Sequence, residues 1–158
     1  MEPLAAAKIL AKIAEREKPD LILMGKQAID DDAAQTGPML SELLNLPLAA
    51  FASEIELLDG RLIVTRETDG GTQTISVTLP AVVTADLRLA EPRYVTLPSM
   101  AKARKKPVET VELASLGINT APRQKLLGVE PPPARKAGVM VANVDELIQK
   151  LRDEVHLL

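Results

Sequence analysis

The residues best suited to chemistry in this chain form a polar loop from Gly25 to Gly37. The loop follows a short apolar run, Leu21–Met24, and leads toward a helix expected to begin near Pro38. In α/β proteins such a loop, after a strand that ends in glycine, is a common site for a nucleotide phosphate, because backbone N–H groups at a helix start favour anions. The loop therefore indicates a nucleotide site, with a plain solvated acidic loop as the alternative.

Residues within the loop suit different parts of such a site. Gly25 lets the backbone approach a ligand closely, and Gln35 and Thr36 can hydrogen-bond a phosphate or a sugar. The acidic run Asp30–Asp32 would repel a phosphate, so its carboxylates are expected to point outward or to accept hydrogen bonds from backbone N–H groups. No histidine or second carboxylate cluster accompanies this run, so no metal site is predicted.

A second candidate for function is an irregular segment that contains Pro92 and Pro98. Leu97, just before Pro98, is a candidate exposed anchor for a partner protein, and Tyr94 and Met100 would frame it. The alternative is an ordinary leucine buried in a loop, which the residue type alone favours.

Basic side chains follow this segment directly. They could steer an acidic partner, which would raise the association rate more than the affinity. Nucleic acid is not expected as a partner, because the patch is short, has no interleaved aromatic residues and lies in a chain of net charge −3. The patch consists of Lys102, Arg104, Lys105 and Lys106.

The composition excludes several kinds of site. The 158 residues contain no cysteine, so disulfides, thiolate catalysis and cysteine-ligated metal centres are ruled out. The single histidine, His156, is expected to meet carbonyl groups at the end of a helix. There is no apolar run long enough to span a membrane and no signal-peptide pattern, so the chain is expected to be intracellular and soluble, without membrane insertion.

The elements that must hold these residues are two helices and a series of strands. Apolar spacing predicts helices over Pro3–Glu17 and Pro38–Leu44, with a buried strand over Leu21–Met24 between them. Asp59-Gly60 and Asp69-Gly70-Gly71 predict hairpin turns between the later strands. These strands are expected at Phe51–Leu57, Leu62–Glu67, Thr72–Leu79 and Ala81–Ala85.

The last part of the chain has a different character. A short helix is expected over Pro98–Lys105. Residues Pro107–Val141 carry several prolines and are expected to run extended over a partner. Asn143, with Glu146 in the following turn, predicts the start of a terminal amphipathic helix.

Three stretches of the sequence resemble the β subunit of electron-transfer flavoprotein. They are the loop Gly25–Gly37, a hairpin pattern, and the segment Arg93–Pro98 with its basic continuation. The hairpin pattern is very specific because it fixes many residue types at set spacings. It comprises Val64, Arg66, Asp69-Gly70-Gly71, Gln73, Ile75 and Pro80-Ala81-Val82-Val83-Thr84. The resemblance extends from about Leu4 to the terminal helix.

The resemblance implies an α/β fold, a partial Rossmann-like (adenine-nucleotide α-hydrolase-like) three-layer domain with a β-hairpin extension and a C-terminal arm plus helix. Residues 1–106 would be the C-terminal portion of the nucleotide-binding domain with its recognition loop. Residues 107–158 would form an arm and a helix that pack on the partner subunit. The family's domain has a further N-terminal stretch, so a partial chain or one half of a split subunit is expected here.

The resemblance also implies an electron carrier that is not an enzyme and has no catalytic residue. The family is a heterodimer in which the α subunit holds FAD, while the β subunit binds AMP structurally. It takes electrons from acyl-CoA and related dehydrogenases of fatty acid β-oxidation and passes them to a quinone oxidoreductase of the respiratory chain. The implied location is the cytoplasm in a bacterium or the mitochondrial matrix in a eukaryote.

Site residues are carried over position by position. Leu97 matches the leucine that inserts into a hydrophobic pocket of the dehydrogenase, and Glu67 matches a position that contacts the mobile FAD domain. The implied AMP-binding residues are Gly25, Lys26, Gln27, Ala28, Ile29, Asp30, Asp31, Asp32, Ala33, Ala34, Gln35 and Thr36. The implied partner-binding residues are Tyr94, Leu97, Pro98, Met100, Lys102, Lys105 and Glu67.

Two other interpretations stay open on the residues alone. A nucleotide enzyme of similar architecture, such as an ATP pyrophosphatase or a universal-stress-type protein, would need a Ser/Gly-rich phosphate loop. The only Gly-Gly pair, Gly70-Gly71, lies instead in a predicted hairpin turn. The second alternative is a nucleotide-binding α/β interaction module without an electron-transfer role.

Overall fold

The computed structural model describes residues 1–135 and 137–157. Within them the chain forms a five-stranded mixed sheet accompanied by helices, which confirms the expected α/β class. The helices are α1 (Pro3–Glu17), α2 (Thr36–Leu44), α3 (Leu97–Ala103) and α4 (Val144–Asp153), with a 3-10 turn at Leu113–Leu116. The strands are β1 (Leu21–Gly25), β2 (Leu48–Leu58), β3 (Arg61–Thr68), β4 (Gly71–Thr78) and β5 (Ala81–Ala85).

The sheet combines a parallel part with an antiparallel part, in the order β1-β5-β2-β3-β4. Both β1 and β2 pair with β5 in parallel. β2, β3 and β4 then pair antiparallel through two tight hairpins. The hairpin turns lie at Asp59-Gly60 and Asp69-Gly70, as their turn residues predicted.

Helices α1 and α2 pack on the face of the sheet that carries Ile22 and Met24 of β1. There Ala7 and Ala11 of α1 meet Leu40 of α2 in a buried cluster. The small alanine side chains let the helix backbones approach closely, so aliphatic contacts form this core without aromatic residues.

A second buried cluster is built by strands β2 to β5. The register of β2 shifts between Ala49 and Ala52 against β5, and again between Ala52 and Glu54 against β3. Such bulges bend a strand and increase its twist, so one long strand serves both the parallel and the antiparallel parts of the sheet. The cluster contains Ala49, Ala52, Leu62, Val64, Val77, Ala81 and Val83.

Strand β1 lies at one end of the strand order, and among the described residues it pairs with β5 alone. Alternate side chains of a strand point to opposite faces, so Leu21 and Leu23 face away from the two helices. Leu23 is 53% exposed. Strand β1 therefore exposes an apolar face, and its outer backbone edge has no strand partner among the described residues.

The helix boundaries differ little from those expected. α2 begins at Thr36, so Pro38 lies in its first turn, where a missing N–H is tolerated. The short helix α3 begins at Leu97. No helix within residues 1–135 and 137–157 has the length and apolar character needed to cross a membrane.

The chain after α3, here called the arm (residues 107–124), contacts α1 through polar side chains. The guanidinium of Arg16, near the end of α1, pairs with both carboxylate oxygens of Glu109, the shorter contact being 2.7 Å. Further along, Lys8 Nζ donates to the backbone carbonyl of Asn119 at 3.0 Å. Because the partners follow α1 in reverse order, this arm runs antiparallel to the helix.

The third contact between the arm and the helix lies at the start of α1. The carboxylate of Glu2 accepts hydrogen bonds from the backbone N–H groups of Arg123 and Gln124 at 2.8–2.9 Å. These bonds hold the pKa of the Glu2 carboxyl below its usual range, because they stabilise the charged form. The contacts at both ends keep the arm on this chain's own helix.

The chain divides into two compact units, Met1–Gln124 and Lys125–Leu158. The first unit includes the residues after α3 that contact α1, as far as Gln124.

In the second unit, α4 begins as predicted. Asn143 Oδ1 accepts a hydrogen bond from the Glu146 N–H at 2.9 Å. The Glu146 carboxylate, in turn, reaches the N–H of Ala142 at 2.8 Å, one residue before the cap. The prediction for His156 is also confirmed, since its Nδ1 lies 3.0 Å from the carbonyl oxygen of Arg152.

Candidate functional site

The Gly25–Gly37 loop lies at the carboxyl end of β1, between this strand and α2. Gly25 is in parallel register with Ala85, so β1 and β5 end at the same edge of the sheet. In open α/β sheets, ligands bind at this edge. A Cβ placed on Gly25 would meet no other atom within 4 Å, so packing inside the chain does not require glycine here. The backbone at Gly25 is therefore open to a ligand.

A cleft of about 250 Å³ opens beside this loop. Its walls come from the start of α1, the end of β1 with the loop that follows it, and the start of α2. They are Pro3, Met24, Gly25, Lys26, Gln27, Ala28, Asp31, Ala33, Ala34, Gln35 and Thr36. The structure thus gathers most of the predicted nucleotide-binding residues around one space, while Ile29, Asp30 and Asp32 lie outside its walls.

A second cleft, of about 270 Å³, lies beside Gly25–Gln27, where β1 ends and the loop begins. Ile29 and Asp32 line it, together with Ala85 and Leu87 at the end of β5. Residues Gly25–Gln27 thus contribute to the walls of both clefts. Asp30 is exposed and lines neither of the two.

The acidic run in the loop is engaged within the loop itself. Asp31 Oδ1 accepts a hydrogen bond from the Ala33 N–H at 3.1 Å, which confirms that a carboxylate here satisfies a backbone donor. Asp32 accepts from the side-chain amide of Gln27 instead. Among the residues that the structure describes, no group of three or more side chains could hold a metal ion.

Two loop residues other than glycine adopt left-handed backbone angles. Asp32 has φ of 51° and Ala34 has φ of 52°. This conformation is unfavourable for a residue with a Cβ, by roughly 1 kcal/mol or more. Strained backbone of this kind is concentrated at ligand sites, where the surrounding structure holds it in place.

Lys26, the first residue after β1, forms an ion pair with Asp86, the first residue after β5. Lys26 Nζ lies 2.6 Å from Oδ2 of Asp86, whose side chain is 6% exposed. The other oxygen, Oδ1, accepts from Nε and from the backbone N–H of Arg88 at 3.1 and 3.2 Å. The Lys26 ammonium and the Arg88 guanidinium hold the pKa of the Asp86 carboxyl well below its usual range.

The same arginine reaches a second predicted site residue. Arg88 forms an ion pair with Glu67, near the end of β3. A continuous chain of charged groups therefore runs from Lys26 in the loop, through Asp86 and Arg88, to Glu67. The structure thus connects two residues, Lys26 and Glu67, that the family resemblance assigned to different sites.

Lys26 also lies over an aromatic ring. Its ammonium is 6.0 Å from the ring centroid of Phe51, in the bulged part of β2. Phe51 has a left-handed φ of 60°, and its N–H donates to Thr84 Oγ1 at 3.1 Å. The Phe51 backbone is thus joined to β5, and the Lys26 ammonium lies between a carboxylate and a π-face.

The predicted partner-binding segment forms a separate, exposed feature. Leu97 is 78% exposed and Tyr94 is 93% exposed, so Leu97 is not the buried loop leucine of the alternative interpretation. A reciprocal cap fixes the start of α3, since Thr96 N–H donates to Ser99 Oγ at 3.0 Å and Ser99 N–H donates to Thr96 Oγ1 at 3.4 Å. An apolar side chain is therefore presented to solvent at the first position of a capped helix.

The rest of the predicted partner surface is also accessible. Pro98, Met100, Lys102 and Lys105 are all exposed on or just after α3. The hydrogen bonds described for Thr96–Lys106 lie within this segment, so it is built independently of the loop. The basic patch adjoins Leu97 along the chain, which suits an acidic partner with an apolar pocket.

Sequence reasoning missed Asp86, Arg88 and Phe51. A signal for Asp86 was present, because it directly follows an apolar strand, as Gly25 and Lys26 follow another. Side chains that follow neighbouring parallel strands meet at one edge of the sheet. No such signal existed for Phe51, whose position depends on the bulge in β2.

Comparisons with known proteins place these features in a family. A family model described as "Electron transfer flavoprotein domain" matches residues 1–116. "Electron transfer flavoprotein subunit beta" of Bradyrhizobium diazoefficiens is 51% identical over 158 residues, covering 100% of this chain and 64% of the relative. The human protein of the same name is 50% identical over 151 residues, covering 96% of this chain and 59% of the relative.

A plant relative agrees with these two. "Electron transfer flavoprotein subunit beta, mitochondrial" of Arabidopsis thaliana is 49% identical over 158 residues, covering 99% of this chain and 63% of the relative. The chain thus spans 59–64% of the length of these three relatives.

Proposed function

Because this chain belongs to the electron transfer flavoprotein domain family, we propose that it is part of the β subunit of an electron transfer flavoprotein. The observation that carries the proposal is its alignment at 51% identity, over 158 residues, with a protein of that name. In this role the chain is a carrier subunit and not an enzyme. Its principal partner is an α subunit that holds FAD.

The proposed ligand of the loop is AMP, bound for a structural purpose. The open backbone at Gly25 and the position of Gln35 and Thr36 in the cleft wall support this assignment. The first turn of α2 offers free N–H groups and the positive end of the helix dipole to a phosphate. The cleft, at about 250 Å³, is smaller than the roughly 300–1,000 Å³ usual for small-molecule sites, so further contacts to the nucleotide are expected from outside this chain.

Leu97 is proposed as the anchor for acyl-CoA and related dehydrogenases. Its exposure on a capped helix start supports this role, because a fixed apolar side chain can enter a pocket with little loss of freedom. Lys102 and Lys105 would add long-range attraction to an acidic rim. Glu67 is proposed to meet the mobile FAD domain, and its present partner is Arg88.

Helix α4 is proposed to pack on the α subunit. One stripe of the helix is apolar, and its residues Val144, Leu147 and Ile148 are exposed within their own unit. An amphipathic helix of this kind is seldom stable with its apolar stripe in water, so a partner surface is the natural cover.

The experiment that tests this function is co-expression with the FAD-bearing α subunit, followed by affinity capture and measurement of flavin absorbance. The chain is compared with a version extended at its N terminus by the corresponding residues of the Bradyrhizobium relative. Flavin captured by both forms supports the assignment and places the subunit contact within this chain. Flavin captured only by the extended form supports the assignment and places part of the contact outside the chain. A colourless eluate from both would reject the electron-transfer role in favour of an interaction module.

A single variant refines this test. Leu147→Asp places a charge in the apolar stripe of α4 and is expected to lower flavin capture if the helix packs on the α subunit. Gln149→Asp adds the same charge at an exposed position of the same helix and serves as the matched control.

A further inference from the structure

The buried carboxylate at the end of β5 has no role in the function proposed so far. Asp86 is nearly inaccessible, yet its two oxygens accept from Lys26, from the Arg88 side chain and from the Arg88 backbone. A buried carboxylate of this kind is costly unless it is fully paired, and here both oxygens are occupied. Its partners belong to two different segments, the nucleotide loop and the turn after β5.

The register of the two strands already places Lys26 next to Asp86. Gly25 and Ala85 are in register on adjacent parallel strands, and the Lys26 N–H donates to the Ala85 carbonyl at 3.1 Å. Lys26 and Asp86 are the next residues on each strand, so their side chains leave the sheet at neighbouring points. The 2.6 Å contact between Nζ and Oδ2 then joins the start of the loop to the segment after β5.

We propose that Asp86 is a positioning residue for the Gly25–Thr36 loop. Asp86 holds Lys26 in a fixed place and links it through Arg88 to Glu67. The inference rests on the proposed function only in naming AMP as the ligand of this loop. Asp86 acts through Lys26, and it has no contact with the nucleotide in this scheme.

The charges in this network decide what Lys26 can do. Its ammonium is already paired with Asp86 and lies over the Phe51 ring, so it is not a free cation for the phosphate. Lys26 instead serves as a fixed point in the cleft wall, and the N–H groups of the α2 start remain as the donors for an anion. Replacing Asp86 by an amide would leave the lysine partly buried without its counter-charge, and the loop would shift to bring it into water.

The link to Glu67 gives the network a second end. Arg88 divides its guanidinium between Asp86 and Glu67, so a change at one carboxylate alters how the arginine sits on the other. Because the Arg88 side chain is largely exposed, this coupling is expected to be weaker than that between Asp86 and Lys26. Substitution of Glu67 should therefore disturb the loop in the same direction as substitution of Asp86, but less.

The sequence supplies a specific probe for this proposal. Phe51 is the only phenylalanine, so labelling the full chain with 4-fluorophenylalanine gives a single 19F resonance next to the Lys26 ammonium. Lys26→Met and Asp86→Asn are both expected to shift this resonance, and Glu67→Gln is expected to shift it by a smaller amount. Arg16→Gln is the control. It removes the exposed ion pair between Arg16, on α1, and Glu109, and it should leave the resonance in place.

AMP titration of the complex with the flavin subunit is the second readout. Asp86→Asn is expected to weaken AMP binding about three- to tenfold, while Lys26→Arg retains most of the affinity because it keeps the cation. An Asp86→Asn resonance identical to that of the wild type would overturn the inference, whatever the AMP result. A shifted resonance in a complex that binds no AMP would reject the nucleotide and leave the positioning role standing. If the wild type binds AMP tightly and Asp86→Asn binds it equally well, Asp86 does not position the loop for AMP binding.

Discussion

Gly37, in the first turn of α2, lies directly against Thr84 of β5. A Cβ on Gly37 would clash with Cγ2 of the threonine, which is itself almost completely buried. The absence of a side chain at one position therefore sets how closely the helix that ends the loop approaches the sheet. Glycine is needed here for packing, whereas Gly25 at the other end of the loop has open space around it.

Gly37→Ala is expected to lower the free energy of unfolding by about 1–3 kcal/mol, because the added methyl must displace α2 or β5. This loss exceeds the gain of at most about 1 kcal/mol that alanine brings as a better helix former. Urea unfolding followed by circular dichroism measures the change. Gly25→Ala is the control for stability and should unfold close to the wild type.

A second substitution tests the reason for that loss. Thr84→Ser removes Cγ2 but keeps the hydroxyl that accepts from the Phe51 N–H. The double variant Gly37→Ala/Thr84→Ser should therefore recover stability relative to Gly37→Ala alone, as a double-mutant cycle would show. Additive losses in the cycle would mean that the two side chains do not share one space.

The stability of the chain should depend on the ionisation of Asp86 in acid. Its pKa is lower in the folded chain than the value of about 3.9 expected when unfolded, so the carboxylate stabilises the fold above that value. This contribution is lost as the pH falls below about 4 toward the folded pKa. Urea midpoints measured between pH 7 and pH 3 should show the wild type losing its advantage over Asp86→Asn at the acid end. Parallel midpoint curves for the two proteins would contradict this prediction.

The arm should loosen when Glu2 is neutralised. Glu2→Gln removes the charge that receives the backbone N–H groups of Arg123 and Gln124, and an amide oxygen is the weaker acceptor. Hydrogen exchange at these two amides is therefore expected to speed up, while exchange within β5 stays slow. Lys12→Gln, which breaks only an exposed ion pair with Glu15, should change neither. Unchanged exchange at both amides in Glu2→Gln would show that the arm is held by other contacts.

Leu97→Ala should slow electron transfer from a dehydrogenase while the flavin content of the complex stays the same. Loss of one central apolar anchor is expected to cost about 1–2 kcal/mol of binding, or roughly tenfold in apparent affinity. Stopped-flow flavin reduction at several complex concentrations separates weaker docking from slower chemistry. Leu57→Ala changes an exposed leucine on the β2–β3 hairpin and is the matched control. Equal rates for wild type and Leu97→Ala would remove Leu97 from the docking surface.

Local signals allowed much of the fold to be predicted. Asp59-Gly60 and Asp69-Gly70 lie in the hairpin turns because glycine and aspartate favour the backbone angles that such turns need. The cap at Asn143 was predictable for the same reason, since a cap and its partner lie within one helical turn. Features that depend on neighbours in sequence were therefore within reach of the sequence alone.

Features that depend on distant neighbours were not. The pairing of Lys26 with Asp86 follows from the register of two strands that lie far apart in the chain. The fastening of Arg123 to Glu2 joins the start of α1 to the end of the arm and has no local pattern. Residue types therefore single out the loop as a candidate site, whereas the ion pairs between Lys26, Asp86 and Arg88 became visible only in three dimensions.

The open side of β1 affects how the isolated chain behaves at high concentration. The strand sequence Leu21–Gly25 contains no charged residue and no proline, and its outer backbone groups have no strand partner among the described residues. Edges of this composition can template pairing with a second molecule, because nothing in them opposes strand addition. The isolated chain is therefore expected to self-associate, to seed filaments and to precipitate when it is concentrated. A strand or partner protein that pairs with the edge of β1 should raise the yield of dissolved protein.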